Sequence, residues 1–366
     1  YQDIAERGAA RVWCPGMTLA ATLIDLVNIP SVIGSEGRIC TTIAERLLPV
    51  WSLQGVQRIG NALVIGQRTD RPLIVLYGHL DTVPEQDNNA EARQAGDRIY
   101  GLGTSDMKSG LAVMVHLLED EEVRSGPYNV VGVFYDKEEG PSAENGLEDV
   151  LNEVGWLADA EFSVVLEPTD LNLELGCNGA MNADIIFTGH AAHSARPWLG
   201  ENAVTKAGAW LAAMHDRAPE SVEVAGLEYR EVFSVTRANG GIANNVLPSR
   251  FTMNLNYRFP PVYDLEAAEA RLRQVAAAAD EVVVTDRAPA GTIPEGNRHL
   301  ARLEGLVGGA RTAKQGWTDV ARLTGRGIPA VNFGPGEVAQ AHQATESVPI
   351  ENLETVFDVL RRFLTS

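Results

Sequence analysis

Three short unbroken apolar runs, at residues 72–77 (PLIVLY), 128–135 (YNVVGVFY) and 162–166 (FSVVL), constrain this chain more than any other feature. Each is too short for a helix and is bounded by turn-forming residues, so each predicts a strand covered on both faces. A helical pattern over residues 110–119 separates the first two, and apolar positions recur at helical spacing over 17–27 and 40–48. Residues 61–65 add a short extended segment, 330–333 read as another strand, and 350–364 as an amphipathic closing helix. Strands alternating with helices predict an α/β sheet with helices packed against it.

The middle of the chain follows another rhythm. Residues 181–188, 233–239, 250–259 and 282–285 read as strands, the second and third alternating like half-buried ones, with helices predicted over 201–215 and the Ala-rich 265–279. The order β-α-β-β-α-β is that of a ferredoxin-like split unit. The larger pattern resumes after it. The expected organisation is a discontinuous domain, 1–175 and 291–366, interrupted by a small inserted domain at 176–290. A length of 366 residues fits two domains.

Thirty basic against 49 acidic residues leave a formal charge of −19. That balance argues against nucleic-acid binding, which needs clustered Lys and Arg at phosphates, but allows an anionic small molecule if a few basic groups face one pocket. No stretch approaches the ~20 apolar residues of a bilayer-spanning helix, so no membrane partner is expected. The opening residues lack an apolar leader core. Residues 1–16 read as a tag, a mis-set start or a loose extension. Three scattered cysteines, Cys14, Cys40 and Cys177, suit a reducing cytoplasm and predict neither a disulfide framework nor a Cys-type zinc site.

Polar groups gather where the predicted strands end, which is where open α/β sheets build their sites. The first strand runs into Gly78-His79-Leu80-Asp81, the second into Asp136-Lys137-Glu138-Glu139-Gly140, and the third into Glu167-Pro168-Thr169. Residues 101–110 (GLGTSDMKSG) carry Asp106, and a Gly/Pro loop after 330–333 leads to His342. One carboxylate after a strand is usually a cap or a solvated loop residue, but five successive coincidences are not. Two imidazoles with several carboxylates are the donors of a catalytic Zn²⁺ site, and one carboxylate can bridge two ions. Of the neighbours Glu138 and Glu139, one can bind metal while the other faces substrate as a base. Asp81, two residues past His79, is placed to orient that imidazole.

Other readings are weaker. His116 and His215, on helices, and Cys177 are expected to be structural, His190 to point away from the chemistry, His299 to lie on the surface, and residues 119–122 to form a solvated helix end. The dinucleotide fingerprint fails at Asp106, where a small residue is required. No Gly-x-Ser-x-Gly elbow occurs, which disfavours a serine hydrolase. A non-catalytic binding protein on the same fold would be expected to have lost part of the set His79, Asp106, Glu138, Glu139, Glu167 and His342, and all six are present.

These motifs, in this order from about Met17 to the C-terminus, resemble the M20 metallopeptidases. Residues 189–200 (GHAAHSARPWLG), 241–248 (GIANNVLP), 256–259 (NYRF) and 313–319 (AKQGWTD) are most similar to its actinobacterial-type succinyl-diaminopimelate desuccinylases. The resemblance implies a zinc-peptidase-like catalytic domain, a mixed sheet flanked by helices, with an inserted ferredoxin-like α+β dimerisation or lid domain. It implies two Zn²⁺ per subunit, replaceable by Co²⁺, with His79 and Glu167 on one ion, Glu139 and His342 on the other, and Asp106 bridging. Glu138 matches the general base. His193 matches a histidine supplied by the small domain of a second subunit, hence a homodimer. Asn245 and Arg258 match substrate-holding positions; Arg196, Lys314 and Thr318 join them from their places in the motifs. The peptide after Asp106 is expected to be cis. The implied reaction is removal of succinate from N-succinyl-LL-2,6-diaminopimelate in lysine biosynthesis, with N-acetylornithine, another acyl-amino acid or a dipeptide as alternative substrates. The family often carries an acidic residue two places before its terminal Glu; here that position is Ala344, ahead of Glu346, a change expected to matter little.

Overall fold

The computed structural model describes residues 16–366 except Asn88 and Ala90; residues 1–15, with Cys14, lie outside the described part. An eight-stranded mixed sheet forms the larger layer. Its order across the sheet is Val56–Ile59, Ala62–Ile65, Asn129–Tyr135, Leu73–His79, Phe162–Val165, Ala330–Asn332, Leu173–Leu175 and Arg311–Ala313. Leu73–His79 sits centrally, parallel to both Asn129–Tyr135 and Phe162–Val165. Every residue of the two longest strands is buried, which is why they read as apolar runs rather than alternating ones.

Alternation survives as a division between two cores. Ile74 and Leu76 face helices Leu19–Val27, Gly37–Trp51, Ser109–Glu119 and Ile350–Thr365, whereas Leu73, Val75 and Tyr77 face Leu147–Glu153 and Val320–Gly325. The closing helix presents Leu353, Val356, Leu360, Phe363 and Leu364, a spacing of three and four that lines one face. Each fully buried Leu of this kind contributes about 1.5–3 kcal/mol relative to exposure. Close approach demands glycine at Gly110, where a Cβ would stand 2.4 Å from the Leu166 carbonyl oxygen. The start of the helix Ser109–Glu119 thereby lies directly on the end of a central strand.

A five-stranded antiparallel sheet is built from the middle of the chain, in the order Glu220–Val224, Leu227–Gly240, Arg250–Phe259, Gly179–Thr188 and Glu281–Ala288. The last four have the ferredoxin-like order. Glu220–Val224 is an added edge strand that the sequence did not suggest, because it holds only two valines among polar residues and buries none of them. The helix expected over 201–215 is broken into Ala203–Lys206 and Gly208–His215. A separate core of Met181, Ile185, Phe187, Met253, Leu255, Tyr257 and Phe259 holds this sheet to its helices. The two chain crossings lie side by side: Cys177 N donates to the Gly291 carbonyl at 3.1 Å and Gly291 N to the Cys177 carbonyl at 3.0 Å. In a short third sheet Arg98–Tyr100 pairs with Ser347–Pro349 on one side and Arg93–Ala95 on the other.

Two surface expectations need correcting. His299 is 3 % exposed: its helix, Arg298–Glu304, turns it onto Phe162, Tyr128 and Phe363, with Nε2 3.0 Å from Glu161 Oε2. Glu119 is not simply solvated, because Arg46 grips both its oxygens at 2.7 and 2.8 Å. Among the described residues no helix is long and apolar enough to cross a membrane.

Candidate active site

The strand Leu73–His79 delivers His79, 1 % exposed, to the end of the sheet. Its Nε2 stands 3.2 Å from Asp106 Oδ1 and 3.8 Å from Glu167 Oε1. His342 Nε2 is 2.9 Å from Glu139 Oε1 and 3.6 Å from Asp106 Oδ2. Asp106 thus lies between the two imidazoles, one oxygen toward each. Ligand atoms of His79, Asp106 and Glu139 all fall within 4.8 Å of one another, the spacing of a cation site. The peptide Asp106–Met107 is cis.

The loops carrying these groups are individually held. Asp81, fully buried, accepts from Glu138 N at 3.0 Å and Glu139 N at 2.9 Å, which sets the direction in which the adjacent carboxylates leave the strand. The His79 ring meets Asp81 mainly through its main-chain oxygen, 3.1 Å from Nδ1, with the carboxylate at 3.6 Å. Asp81 is therefore more a clamp on the 138–139 loop than a direct partner of the imidazole. Lys137 and His342 both have left-handed backbones, φ 60° and 61°, a conformation that costs non-glycine residues about 1 kcal/mol or more and gathers at functional sites.

So many acids in a dry place cannot all remain ordinary. Burial raises the Glu138 carboxyl well above its usual range, helped by Glu167, Asp319 and Glu139 and opposed by His79. Burial and then Asp106 push Glu167 up to about 8. His342 rises to about 9, chiefly through its hydrogen bond to Glu139. Burial opposes charge on His79, but Asp106 and Asp81 outweigh it and raise the imidazole. Glu167 Oε1 is buried and has no hydrogen-bond partner, an expensive state unless a cation completes it. The donor set fits a divalent metal: two imidazoles and three carboxylates converge, with Glu138 beside them. His79, Asp106, Glu139, Glu167 and His342 are the residues that could hold it.

Among the described residues, no hydrogen bond or ion pair links His193, Arg196, Asn245 or Arg258 to the cluster. His193 is exposed and bridges backbone to Val246, and its Nδ1 accepts from Ala195 N at 3.1 Å. Asn245 accepts Ser194 N through its carbonyl, and Arg196 N donates to the His193 carbonyl. Arg258, half-buried, donates through Nε to Asn256 Oδ1 at 3.1 Å. Lys314 does not face open space as a substrate contact would. It is 6 % exposed, donates to the Pro168 carbonyl at 2.6 Å and lies 2.7 Å from Glu174 Oε2, a brace beneath Glu167. Thr318 is buried with an unpartnered Oγ1.

Two residues with a part in the site were given none by the sequence. Asp319, fully buried, binds Asn145 Nδ2 at 3.2 and 3.1 Å and Arg322 Nε at 3.0 Å, pinning the far side of the 138–146 loop. Glu346 reaches back to the Asp106 segment. Both stand inside or next to motifs, but only folding brings their partners to them.

Comparison with known proteins gives the cluster a lineage. Residues 75–366 match the profile of peptidase family M20/M25/M40. The chain belongs to that family. M20 members are metal-dependent hydrolases acting on amide bonds, and this chain is one of them. It is 36 % identical to a succinyl-diaminopimelate desuccinylase of Corynebacterium glutamicum, over 93 % of this chain and 94 % of that protein. It is 39 % identical to a protein of Mycobacterium tuberculosis H37Rv provisionally named succinyl-diaminopimelate desuccinylase DapE, over 93 % and 96 % of the two chains. Among solved structures, aminopeptidase PepT of Bacillus cereus superposes with a TM-score of 0.76 at 19 % identity, covering 95 % of this chain and 97 % of that one. That likeness supports the M20 fold, a mixed sheet flanked by helices with an inserted α+β layer.

Proposed function

We propose that this M20 hydrolase cleaves N-succinyl-LL-2,6-diaminopimelate to succinate and LL-2,6-diaminopimelate, in lysine biosynthesis in the cytoplasm, with two zinc ions per chain. The likeness to two relatives named for that reaction, each spanning more than nine-tenths of both chains, carries the substrate reading. His79 and Glu167 would hold one ion, Glu139 and His342 the other, and Asp106 both. Bound there, zinc lowers the pKa of water and polarises the amide carbonyl.

The chain's own groups account for the rest. Glu138 Oε takes the proton of the attacking water and passes it to the nitrogen of the departing amine, so one water is consumed and one C–N bond is exchanged for C–O. Burial, which raises the Glu138 carboxyl, suits a group that must both accept and return a proton. Asp81 fixes the direction of Glu138 through the loop amides. With His193 Nδ1 accepting the main-chain N–H of Ala195, Nε2 is the ring nitrogen left to donate to the developing oxyanion. Arg258 makes no ion pair among the described residues, leaving its charge for a carboxylate of the substrate; Arg196, Asn245 and Thr318 would complete that pocket.

In this reading the described part of residues 1–175, with 291–366, forms the catalytic domain and 176–290 the inserted domain. His193 sits on the second and makes no hydrogen bond or ion pair to the cluster among the described residues, which supports a homodimer through that domain that shares residues between subunits. The test is steady-state hydrolysis of the succinyl compound against N-acetylornithine, with zinc and after chelation. Zinc-dependent turnover of the succinyl compound alone is expected. Preference for the acetyl compound would overturn the substrate reading and leave the chemistry intact.

A further inference from the structure

Glu346 is 2 % exposed, and its carboxylate accepts three main-chain hydrogen bonds. Gly103 N donates to Oε2 at 2.8 Å, while Ser105 N and Asp106 N donate to Oε1 at 2.8 and 3.0 Å. The amides converge because Gly103 turns left-handed, φ 79°, in a space where a Cβ would stand 2.7 Å from Thr82 Cγ2. Three N–H donors onto two oxygens call for an acid; an amide would turn its own donors against one of them. The backbone reinforces the contact. Gly101 N donates to the Glu346 carbonyl at 3.1 Å, and Ser347–Pro349 pairs with Arg98–Tyr100 just upstream.

Such bonds would also arise if the carboxylate merely needed partners in a dry place. The two ends of this contact say more. One of its three amides belongs to Asp106 itself, and four residues before Glu346 stands His342, whose Nε2 is 3.6 Å from Asp106 Oδ2. Asp106 and His342 come from segments more than two hundred residues apart, and the Glu346 carboxylate ties one segment directly to the other. We infer that Glu346 is a positioning residue that sets Asp106 against His342, so that the cation site is formed before the cation arrives. The inference rests on the metal reading given above and adds to it a residue that touches neither metal nor substrate.

Groups that orient metal ligands typically change metal affinity about 10–100-fold when replaced. The test uses chelated full-length protein, titrated with Zn²⁺ against a chromophoric competitor and with Co²⁺ for its visible absorption. Glu346→Gln and Glu346→Asp are compared with Glu337→Gln, which removes the charge paired with Arg98 on the adjoining segment but none of the three amide contacts. The expected result is weakening of Zn²⁺ by about 10–100-fold in Glu346→Gln, with an altered Co²⁺ spectrum, a smaller loss in Glu346→Asp and little change in Glu337→Gln. A lower kcat at unchanged KM should accompany it. A folded Glu346→Gln with wild-type affinity and spectrum, even at a lower Tm, would reduce Glu346 to a structural carboxylate and overturn the inference. Should Glu346→Gln not fold, unchanged affinity in Glu346→Asp would overturn it equally. Wild-type protein that takes up no Zn²⁺ would overturn the metal reading first, a separate outcome.

Discussion

The two sheets of this molecule bury their strands differently, and the chemistry follows the burial. In the eight-stranded sheet the central strands are covered on both faces, so their polar residues are expelled to the strand ends, where His79, Glu138, Glu139 and Glu167 emerge together. In the five-stranded sheet only one face is covered. Its strands keep charged residues along their length, as in the pattern of Glu281–Ala288, and among the described residues no group of possible metal ligands forms on it. The first sheet's strand ends, with the loops carrying Asp106 and His342, gather the candidate metal ligands. The second carries His193, Arg196, Asn245 and Arg258, which among the described residues make no hydrogen bond or ion pair to that centre.

Removing the base should have the largest effect. Glu138→Gln is expected to lower kcat by about 10²–10⁴-fold with metal content unchanged, measured by steady-state hydrolysis and elemental analysis. An equal loss from a change confined to the small sheet's core would break the contrast between the sheets. Stability sharpens the same contrast. Leu76→Ala, in the two-sided core, should cost about 2–5 kcal/mol in denaturant unfolding, whereas Val283→Ala, 41 % exposed on the small sheet, should stay within about 0.5 kcal/mol.

The division of labour can be tested by mixing. His193→Ala and Glu138→Ala subunits, each inactive alone, should regain about a quarter of wild-type activity on random pairing, since half the dimers are mixed and each mixed dimer has one complete site. No recovery would mean that His193 works in its own chain or not at all. The smallest effect concerns Glu231. Burial alone would raise its carboxyl, but hydrogen bonds from Arg271 and Tyr257 prevail and hold it below its ordinary 4.5. A depressed carboxyl stabilises the fold above the unfolded value, and that contribution disappears as pH falls through the folded one. Unfolding midpoints of wild type and Glu231→Gln should therefore differ at pH 7 and converge below pH 4.5.

Much of this was legible in the sequence because it depends on local pattern. Unbroken apolar runs gave the central strands, and the acids and imidazoles following them gave the cluster. What escaped depends on contacts between distant segments. Leu173–Leu175 and Arg311–Ala313 are strands of three residues, too short to show a period. His299 is buried by aromatic rings from three other segments, and a helix of seven residues does not reveal which face will be covered. Lys314 carries the composition of an anion-binding residue, yet Glu174 and the Pro168 carbonyl engage it first. Glu346 follows His342 by four places, but the three amides it binds are some 240 residues upstream.

The central claim is that the ends of the large sheet's strands form a two-ion centre, with Asp106 between the imidazoles. Calorimetric titration of Zn²⁺ into chelated protein tests it most directly, with Asp106→Asn alongside. The account predicts two equivalents per chain for wild type and loss of tight binding of the pair in Asp106→Asn. Absence of tight binding in wild type, or two equivalents undiminished in Asp106→Asn, would contradict it.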